Sequence, residues 1–312
     1  MGRRGLHPAG RQQGRRGQGA AMTGEATLLF GVGATKAGTS WLHRYLAGHP
    51  ECHLRSIKEL HFFDTLEEGR LERARTELDE ERARLAARPV PASRARAETR
   101  ARRMADLADW SAALSAGTEA AYLDYLSAGR GGRRLVADIT PAYALLPVGR
   151  LKRMAAMATD VRFVYLLRDP VDRLWSHVRM IARRRANPGE AIGPRAGRIL
   201  ARVLAGEETH IAERGDYRAV LTRLWAAVDP SRLCLSFYEE LFSQASVDRI
   251  CGFLGIAPQP AEISLRVHAG VPVPMSRDQR RAAVEWLAPQ YDFVADRLGR
   301  VPAVWQSHRV GV

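Results

Sequence analysis

Hydrophobic positions fall along this chain in short apolar runs alternating with longer stretches of helical spacing. Thr27–Val32 is a brief apolar run that stops at Gly33 and reads as a buried strand. Trp41–Ala47 follows with helical spacing and halts at Gly48-His49-Pro50. Helical patterning resumes through residues 119–127, with Tyr122, Tyr125 and Leu126 on one side. Arg134–Ala137 is a second strand candidate, and Val161–Leu167 is the clearest, an almost unbroken apolar run. Asp169 is placed to cap the next helix and Pro170 to open it. A helix near 216–228, a strand at Leu233–Phe237 and helices near 244–254 and 277–298 complete the pattern. Strands that alternate with long helices predict an α/β fold, with a central mainly parallel sheet flanked by helices. No internal repeat interrupts it.

Residues 66–109 depart from this pattern. They carry ten acids and eleven arginines, with Pro89 and Pro91 dividing them into two helices. Near-balanced charge at i,i+4 spacing reads as a solvated helical insertion, or else as a lid over an acceptor. With the helix that follows, the insertion or flap spans 66–130 of a single domain over 22–312. Residues 1–21 hold five arginines, no acid and no apolar core for a signal peptide. They read as a disordered basic tail or as a misassigned start ahead of Met22.

Composition narrows the class. At 46% apolar and 26% charged, 312 residues suffice for a real core, and fully disordered, collagen-like or coiled-coil chains are excluded. The formal charge is +14, which points to an anionic partner. Yet only Lys36, Lys58 and Lys152 are lysine, and 45 of the 48 basic residues are arginine, a bias that weakens the inference. Arg179 and Arg183–Arg185 read as solvated surface, with an acidic acceptor as the alternative. Cys52, Cys234 and Cys251 have no paired spacing, so neither a disulfide framework nor a zinc motif is expected. A reducing, cytoplasmic setting follows. No apolar run is long enough for a membrane span.

Three segments carry chemistry. Gly33-Ala34-Thr35-Lys36-Ala37-Gly38-Thr39-Ser40 lies between a strand and a helix, its two glycines spaced as in a phosphate loop. Glycines let successive N–H groups converge on one anion, and the helix N-terminus adds its dipole. A nucleotide triphosphatase carries lysine directly after the second glycine. Here that position is Thr39, and the cation is Lys36, inside the loop. Lys58-Glu59-Leu60-His61-Phe62-Phe63-Asp64 packs a lysine, two carboxylates and a histidine around two phenylalanines. Such a mixture tunes a carboxylate for proton transfer, unless it is an amphipathic turn with Phe62 and Phe63 in the core. Leu166-Leu167-Arg168-Asp169-Pro170 places Arg168 at the carboxyl end of a strand, with Ser176 two helical turns on. Arginine's planar fork suits a phosphate; the alternative is Arg168 paired with Asp169 or another carboxylate.

Together these segments resemble the sulfotransferases that use 3′-phosphoadenosine 5′-phosphosulfate (PAPS), and most of all the carbohydrate O-sulfotransferase branch that includes the heparan sulfate enzymes and bacterial homologues. Asp138-Ile139-Thr140-Pro141-Ala142-Tyr143, Gly215-Asp216-Tyr217 with Trp225, Tyr238-Glu239-Glu240-Leu241 and Phe253-Leu254-Gly255 extend the likeness in order. The resemblance implies a three-layer, P-loop-like fold. It implies that Thr35, Lys36, Ala37, Gly38, Thr39 and Ser40 hold the 5′-phosphosulfate, with Lys36 neutralising the leaving oxygen. Arg168 and Ser176 would hold the 3′-phosphate. Glu59 would take the acceptor proton, with Lys58 and His61 as helpers. The implied product is adenosine 3′,5′-bisphosphate, and no metal is expected. The partner would be a small-molecule or saccharide acceptor. Ile139 stands where several heparan sulfate enzymes have a lysine, so a glycosaminoglycan acceptor is not carried over. Arg266–Gly270 or Arg277 would supply the family's basic loop near the 3′-phosphate. The competing readings are a P-loop kinase or NTPase and a basic nucleic-acid-binding protein. The second is disfavoured by scattered arginines and 7% aromatics, so no nucleic-acid partner is expected.

Overall fold

A computed structural model describes residues 26–264 and 272–310. The basic tail at 1–21 and the loop Arg266–Gly270 lie outside the described residues. Five strands form one sheet: β1 (Thr27–Gly33), β2 (Cys52–His53), β3 (Leu135–Asp138), β4 (Val161–Leu167) and β5 (Leu233–Phe237). Their order is β2-β3-β1-β4-β5, and every pairing is parallel. The apolar runs explain this topology, because a parallel sheet covered on both faces needs side chains that tolerate burial everywhere. Every residue of β1 and β3 is buried. Arg162 is the polar exception in β4, and it bonds Asp160 at the sheet margin.

The flanking helices are α1 (Thr39–Ala47), α2 (Phe62–Glu67), α3 (Leu71–Ala87), α4 (Arg94–Ala116), α5 (Glu119–Ser127), α6 (Val148–Ala155), α7 (Pro170–Arg185), α8 (Ile192–Leu204), α9 (Thr209–Glu213), α10 (Tyr217–Ala227), α11 (Tyr238–Leu241), α12 (Gln244–Leu254), α13 (Arg277–Leu298) and α14 (Ala303–Val310). The Asp169 carboxylate accepts from the Asp172 N–H at 2.9 Å, so it caps α7 as its position predicts. Pro89 and Pro91 do separate α3 from α4, and α3 buries none of its residues.

The insertion differs from expectation at its far end. Leu107, Trp110 and Leu114 of α4 are buried, and Trp110 packs on Tyr125 with ring centroids 4.6 Å apart. The charged stretch therefore ends as core. Among the described residues, no helix is long and apolar enough to cross a membrane.

Candidate functional site

Because all strands run parallel, the segments leaving their carboxyl ends meet at one sheet edge. Thr35–Ser40 after β1, Pro141 and Ala142 after β3, Arg168 after β4 and Tyr238 after β5 line a single cavity of about 1450 Å³. Lys58, Glu59 and His61, from the segment after β2, face the same space, as do Ser176 and much of α7. Of the loop residues Thr35 to Ser40, only Ala37 is absent from the wall. It is fully buried, and its N–H already donates to the Ala34 carbonyl at 3.0 Å, closing the turn.

The loop after β1 depends on unusual backbone. Gly38 has φ 98°, and a Cβ there would lie 2.9 Å from Leu241 Cδ2. Lys36 has φ 72° without being glycine. Among the described residues the other two non-glycine residues with positive φ are Glu59 and His61, at 61° and 54°. Strained backbone concentrated at three cavity-lining polar residues is the arrangement expected where geometry serves chemistry. Past Gly38 the helix α1 begins; the Trp41 and Leu42 N–H groups donate to the Gly38 carbonyl at 2.9 and 3.1 Å, which leaves those of Thr39 and Ser40 without an intrahelical acceptor.

Lys36 sits among cations. Burial, then the charges of Arg168, Arg179, Arg184 and Lys58, lower its pKa below the ordinary lysine value. Arg168 donates from Nη1 to the Lys36 carbonyl at 3.1 Å and lies 4.4 Å over the Tyr238 ring. The Tyr217 hydroxyl pins the Arg168 backbone, donating to its carbonyl at 2.6 Å and accepting from its N–H at 3.1 Å. The alternative pairing with Asp169 is not made. The second Asp169 oxygen takes the Tyr291 hydroxyl at 2.9 Å, and no carboxylate pairs with Arg168 among the described residues.

Both readings of the Lys58–Asp64 segment hold at once. Phe62 and Phe63 are core residues with no exposure, and Phe62 stacks on Tyr122 at 4.8 Å. The polar residues between them turn outward. The Lys58 ammonium bonds Glu59 directly. His61 donates from Nδ1 to Asp64 at 2.7 Å, and its Nε2 lies 3.8 Å from the second Glu59 oxygen. Burial would raise the Glu59 pKa, but His61 and Lys58 outweigh it and hold the carboxyl at about 2. Burial would lower the His61 pKa, but Asp64 and Glu59 raise it to about 9. The site thus holds an ammonium, a carboxylate and an imidazolium in contact.

Asp138 anchors this segment from below. It is buried, which raises its pKa, and it accepts from the Tyr122 and Tyr143 hydroxyls at 2.8 Å each and from Thr140 at 2.7 Å. The Tyr143 oxygen in turn accepts the Phe62 N–H at 3.0 Å. Ile139 faces away into the core, where a Cβ on Gly31 would come within 2.8 Å of it.

Several wall residues escaped sequence reasoning. Trp41, Tyr238 and Phe242 form an aromatic side, with Phe242 edge-on to Trp41 at 5.5 Å and to Tyr238 at 4.9 Å. Arg179, Arg183 and Arg184 also line the cavity, Arg183 and Arg184 as exposed side chains, so a solvated position and a place on the cavity wall hold together for them. The signal was present: Ser176, Arg179 and Arg183 recur at the spacing of one helix face. Arg185 alone turns away, to Glu208 at 2.7 Å. Arg277 is exposed and does not reach the cavity. Asp169, Asp172 and His308 are the only group among the described residues whose ligand atoms cluster within 4.8 Å. Asp169 is already committed there to the α7 cap. The three cysteines are free.

Sheet, loop and cavity define an α/β protein with a cationic cleft at the end of its first strand. The family model described as Sulfotransferase family matches residues 29–260, and the chain belongs to that family of transferases. The fold is similar to a solved sulfotransferase from Alicyclobacillus acidocaldarius, at 21% identity and a TM-score of 0.58, covering 89% of this chain and 98% of that one. The sulfotransferase domain of the Synechococcus PCC 7002 olefin synthase is also similar, at 16% identity and a TM-score of 0.45, covering 88% of this chain and 98% of that domain. No curated protein matches the chain.

Proposed function

We propose that this chain transfers a sulfuryl group from PAPS to the hydroxyl of a saccharide or other small acceptor, as in the carbohydrate O-sulfotransferases that its motifs resemble. The observation that carries this reading is convergence. Lys36, Arg168 with Ser176, and Lys58-Glu59-His61 come from separate segments and line one cavity. Lys36 and the first N–H groups of α1 would receive the 5′-phosphosulfate, and Arg168 with Ser176 the 3′-phosphate. Trp41, Tyr238 and Phe242 offer the apolar wall that a nucleobase requires.

The acceptor oxygen attacks sulfur, the bond from sulfur to the bridging phosphate oxygen breaks, and adenosine 3′,5′-bisphosphate leaves. Glu59 takes the hydroxyl proton. A carboxylate held at about 2 is a weak base. The Lys58 ammonium would supply the remedy, because the group that bonds Glu59 also lines the cavity where the sulfuryl oxygens of a bound donor would lie. When it turns to them, Glu59 loses a cation and gains basicity as charge moves onto the leaving phosphate, where Lys36 stands.

Calorimetry tests the donor assignment. Adenosine 3′,5′-bisphosphate should bind without added metal and more tightly than ATP with magnesium. The reverse order would favour a kinase or NTPase, a reading already opposed by Thr39 in the position where those enzymes need lysine.

A further inference from the structure

Arg168 reaches the cavity from a two-residue segment that is held from behind. Among the described residues, three side chains from separate elements tie the segment Arg168-Asp169. The Tyr217 hydroxyl donates to the Arg168 carbonyl at 2.6 Å and accepts its N–H at 3.1 Å. Glu239 accepts the Asp169 N–H at 2.8 Å. Tyr291 of α13 donates to the Asp169 carboxylate at 2.9 Å. These ties meet at one further residue, Trp305 of α14. Trp305 has no exposed surface, and its indole stacks on the Tyr217 ring, with centroids 6.4 Å and planes 15° apart. Tyr291 meets it edge-on at 5.9 Å. Phe237, two residues before Glu239, does so at 5.3 Å. Burial raises the Glu239 pKa, and the Asp169 N–H and the Trp305 indole oppose the rise.

The rest of α14 is fastened at the same place. His308, three residues after Trp305, lies 3.5 Å from the Asp169 carboxylate and 3.8 Å from that of Asp172, at the start of α7. Arg309 pairs with Asp292 of α13 at 2.7 Å. Both helices follow the stretch that the family model matches, residues 29–260, so that match does not speak for them. Neither Trp305 nor His308 lines the cavity. Burial alone would suit a tryptophan anywhere in the core. Trp305 instead packs on two of the three side chains that tie one short segment, beside the third. Support of this kind fixes a binding group to within a fraction of an ångström.

We infer that α14 is a strap that positions Arg168, with Trp305 and His308 as its positioning residues. Trp305 keeps the Tyr217 hydroxyl aimed at the Arg168 backbone. His308 holds Asp169 where it caps α7. Neither touches donor or acceptor, and their effect reaches the reaction as recognition of the 3′-phosphate. The inference rests on the donor reading above, which gives that phosphate to Arg168.

Two measurements on a Trp305→Leu variant test it. Calorimetry compares adenosine 3′,5′-bisphosphate with adenosine 5′-phosphate, which lacks the 3′ group. The variant should bind the bisphosphate about tenfold more weakly, the scale of one charge-assisted hydrogen bond, and the monophosphate within about twofold of the parent. Trp305→Phe, which keeps a ring against Tyr217, should restore most of the loss. Amide exchange in the nucleotide-free variant should quicken at residues 168–172 and not at 107–114 of α4. A tryptophan that only fills the core would weaken both nucleotides alike and quicken exchange throughout. That result overturns the inference, and so do parental values in both measurements. Should Trp305→Leu not fold, His308→Ala takes its place, since that side chain is partly exposed. It should cut the preference for the bisphosphate about threefold, the scale of a partly exposed ion pair, and an unchanged preference overturns the inference. If the parent itself does not prefer the bisphosphate, the donor reading fails by itself. Exchange at 168–172 then decides alone whether α14 holds Arg168.

Discussion

Two arginine-rich regions of this protein look alike in sequence and opposite in structure. On α3 and α4 five of the nine arginines pair with a carboxylate, among them Arg73 with Glu77 at 3.0 Å, Arg94 with Glu98 at 2.8 Å, and Arg103 with Glu81 at 2.9 Å across the helix pair. Along the cavity, Lys36, Arg168, Arg183, Arg184 and Arg214 have no carboxylate partner among the described residues, and the charges of Arg168 and Arg184 reach Lys36. Placing cations together without acids is costly, and it makes sense where an anion completes the set. The formal +14 of the chain averages these two regimes, and only the cations gathered around one cavity say anything about a ligand.

The sharpest way to break the comparison is to remove the central cavity cation. Lys36→Ala should lower turnover about 10²- to 10³-fold, the usual scale for a lost charge-stabilising group, and should weaken binding of adenosine 3′,5′-bisphosphate. Labelled-sulfuryl transfer and calorimetry measure the two effects. Parental rates would mean that this lysine is no more functional than the arginines of α3.

Glu59→Gln should come next. It should lower turnover about 10²-fold or more while bisphosphate binding persists. It should also shift the imidazole titration of His61, followed by NMR, downward from about 9, because one of its two carboxylate partners becomes neutral. The sign of the stability effect follows from the two shifts. The Glu59 value is depressed, so its contribution is complete above 4.5 and fades as pH falls toward 2. The His61 value is raised, so its contribution is complete below 6.5 and is lost as pH climbs through 9. Melting temperatures of the parent should therefore fall on the alkaline side around pH 9, and Glu59→Gln should blunt that fall. An unmoved His61 titration would place Glu59 outside the cluster.

How much of this was legible beforehand depends on the range of the forces involved. Val161–Leu167, Leu233–Phe237 and the helices at 244–254 and 277–298 stand in the structure at the boundaries that their patterns predict. Local apolar period and local capping decide them. β2 is two residues long and α9 five, too short for any period to show, and α8 starts without a side-chain cap. The motif residues were readable because glycine spacing and a rare lysine are local facts. The fates of Arg183, Arg184 and Arg185 were not. Three consecutive arginines divide between a cavity and Glu208, and only the fold brings Glu208 within reach of one of them. Asp138 belongs to the stretch Asp138–Tyr143, yet its work is to hold Tyr143, and through it the Phe62 backbone. That connection spans the core and leaves no trace in spacing.

The smallest expected effect tests the other side of the comparison. Arg73→Ala removes one member of an i,i+4 pair in which Arg73 is 72% and Glu77 63% exposed. In that setting solvent screens the attraction, and ordering two long side chains offsets much of it. The change in stability should be within about 0.5 kcal/mol by denaturant titration, and the rate and acceptor KM should be unaltered. The KM measurement matters more than the stability. The insertion was also readable as a lid, and a lid that touches the acceptor would register the loss of a surface charge as a shift of more than about twofold. An unchanged KM leaves α3 as solvated scaffold, joined to the site segment through Arg103, which donates to the Ser56 carbonyl at 2.9 Å. A changed one would mean that a matched, exposed arginine can serve the site too. Local pairing would then cease to separate the structural arginines of this chain from the functional ones.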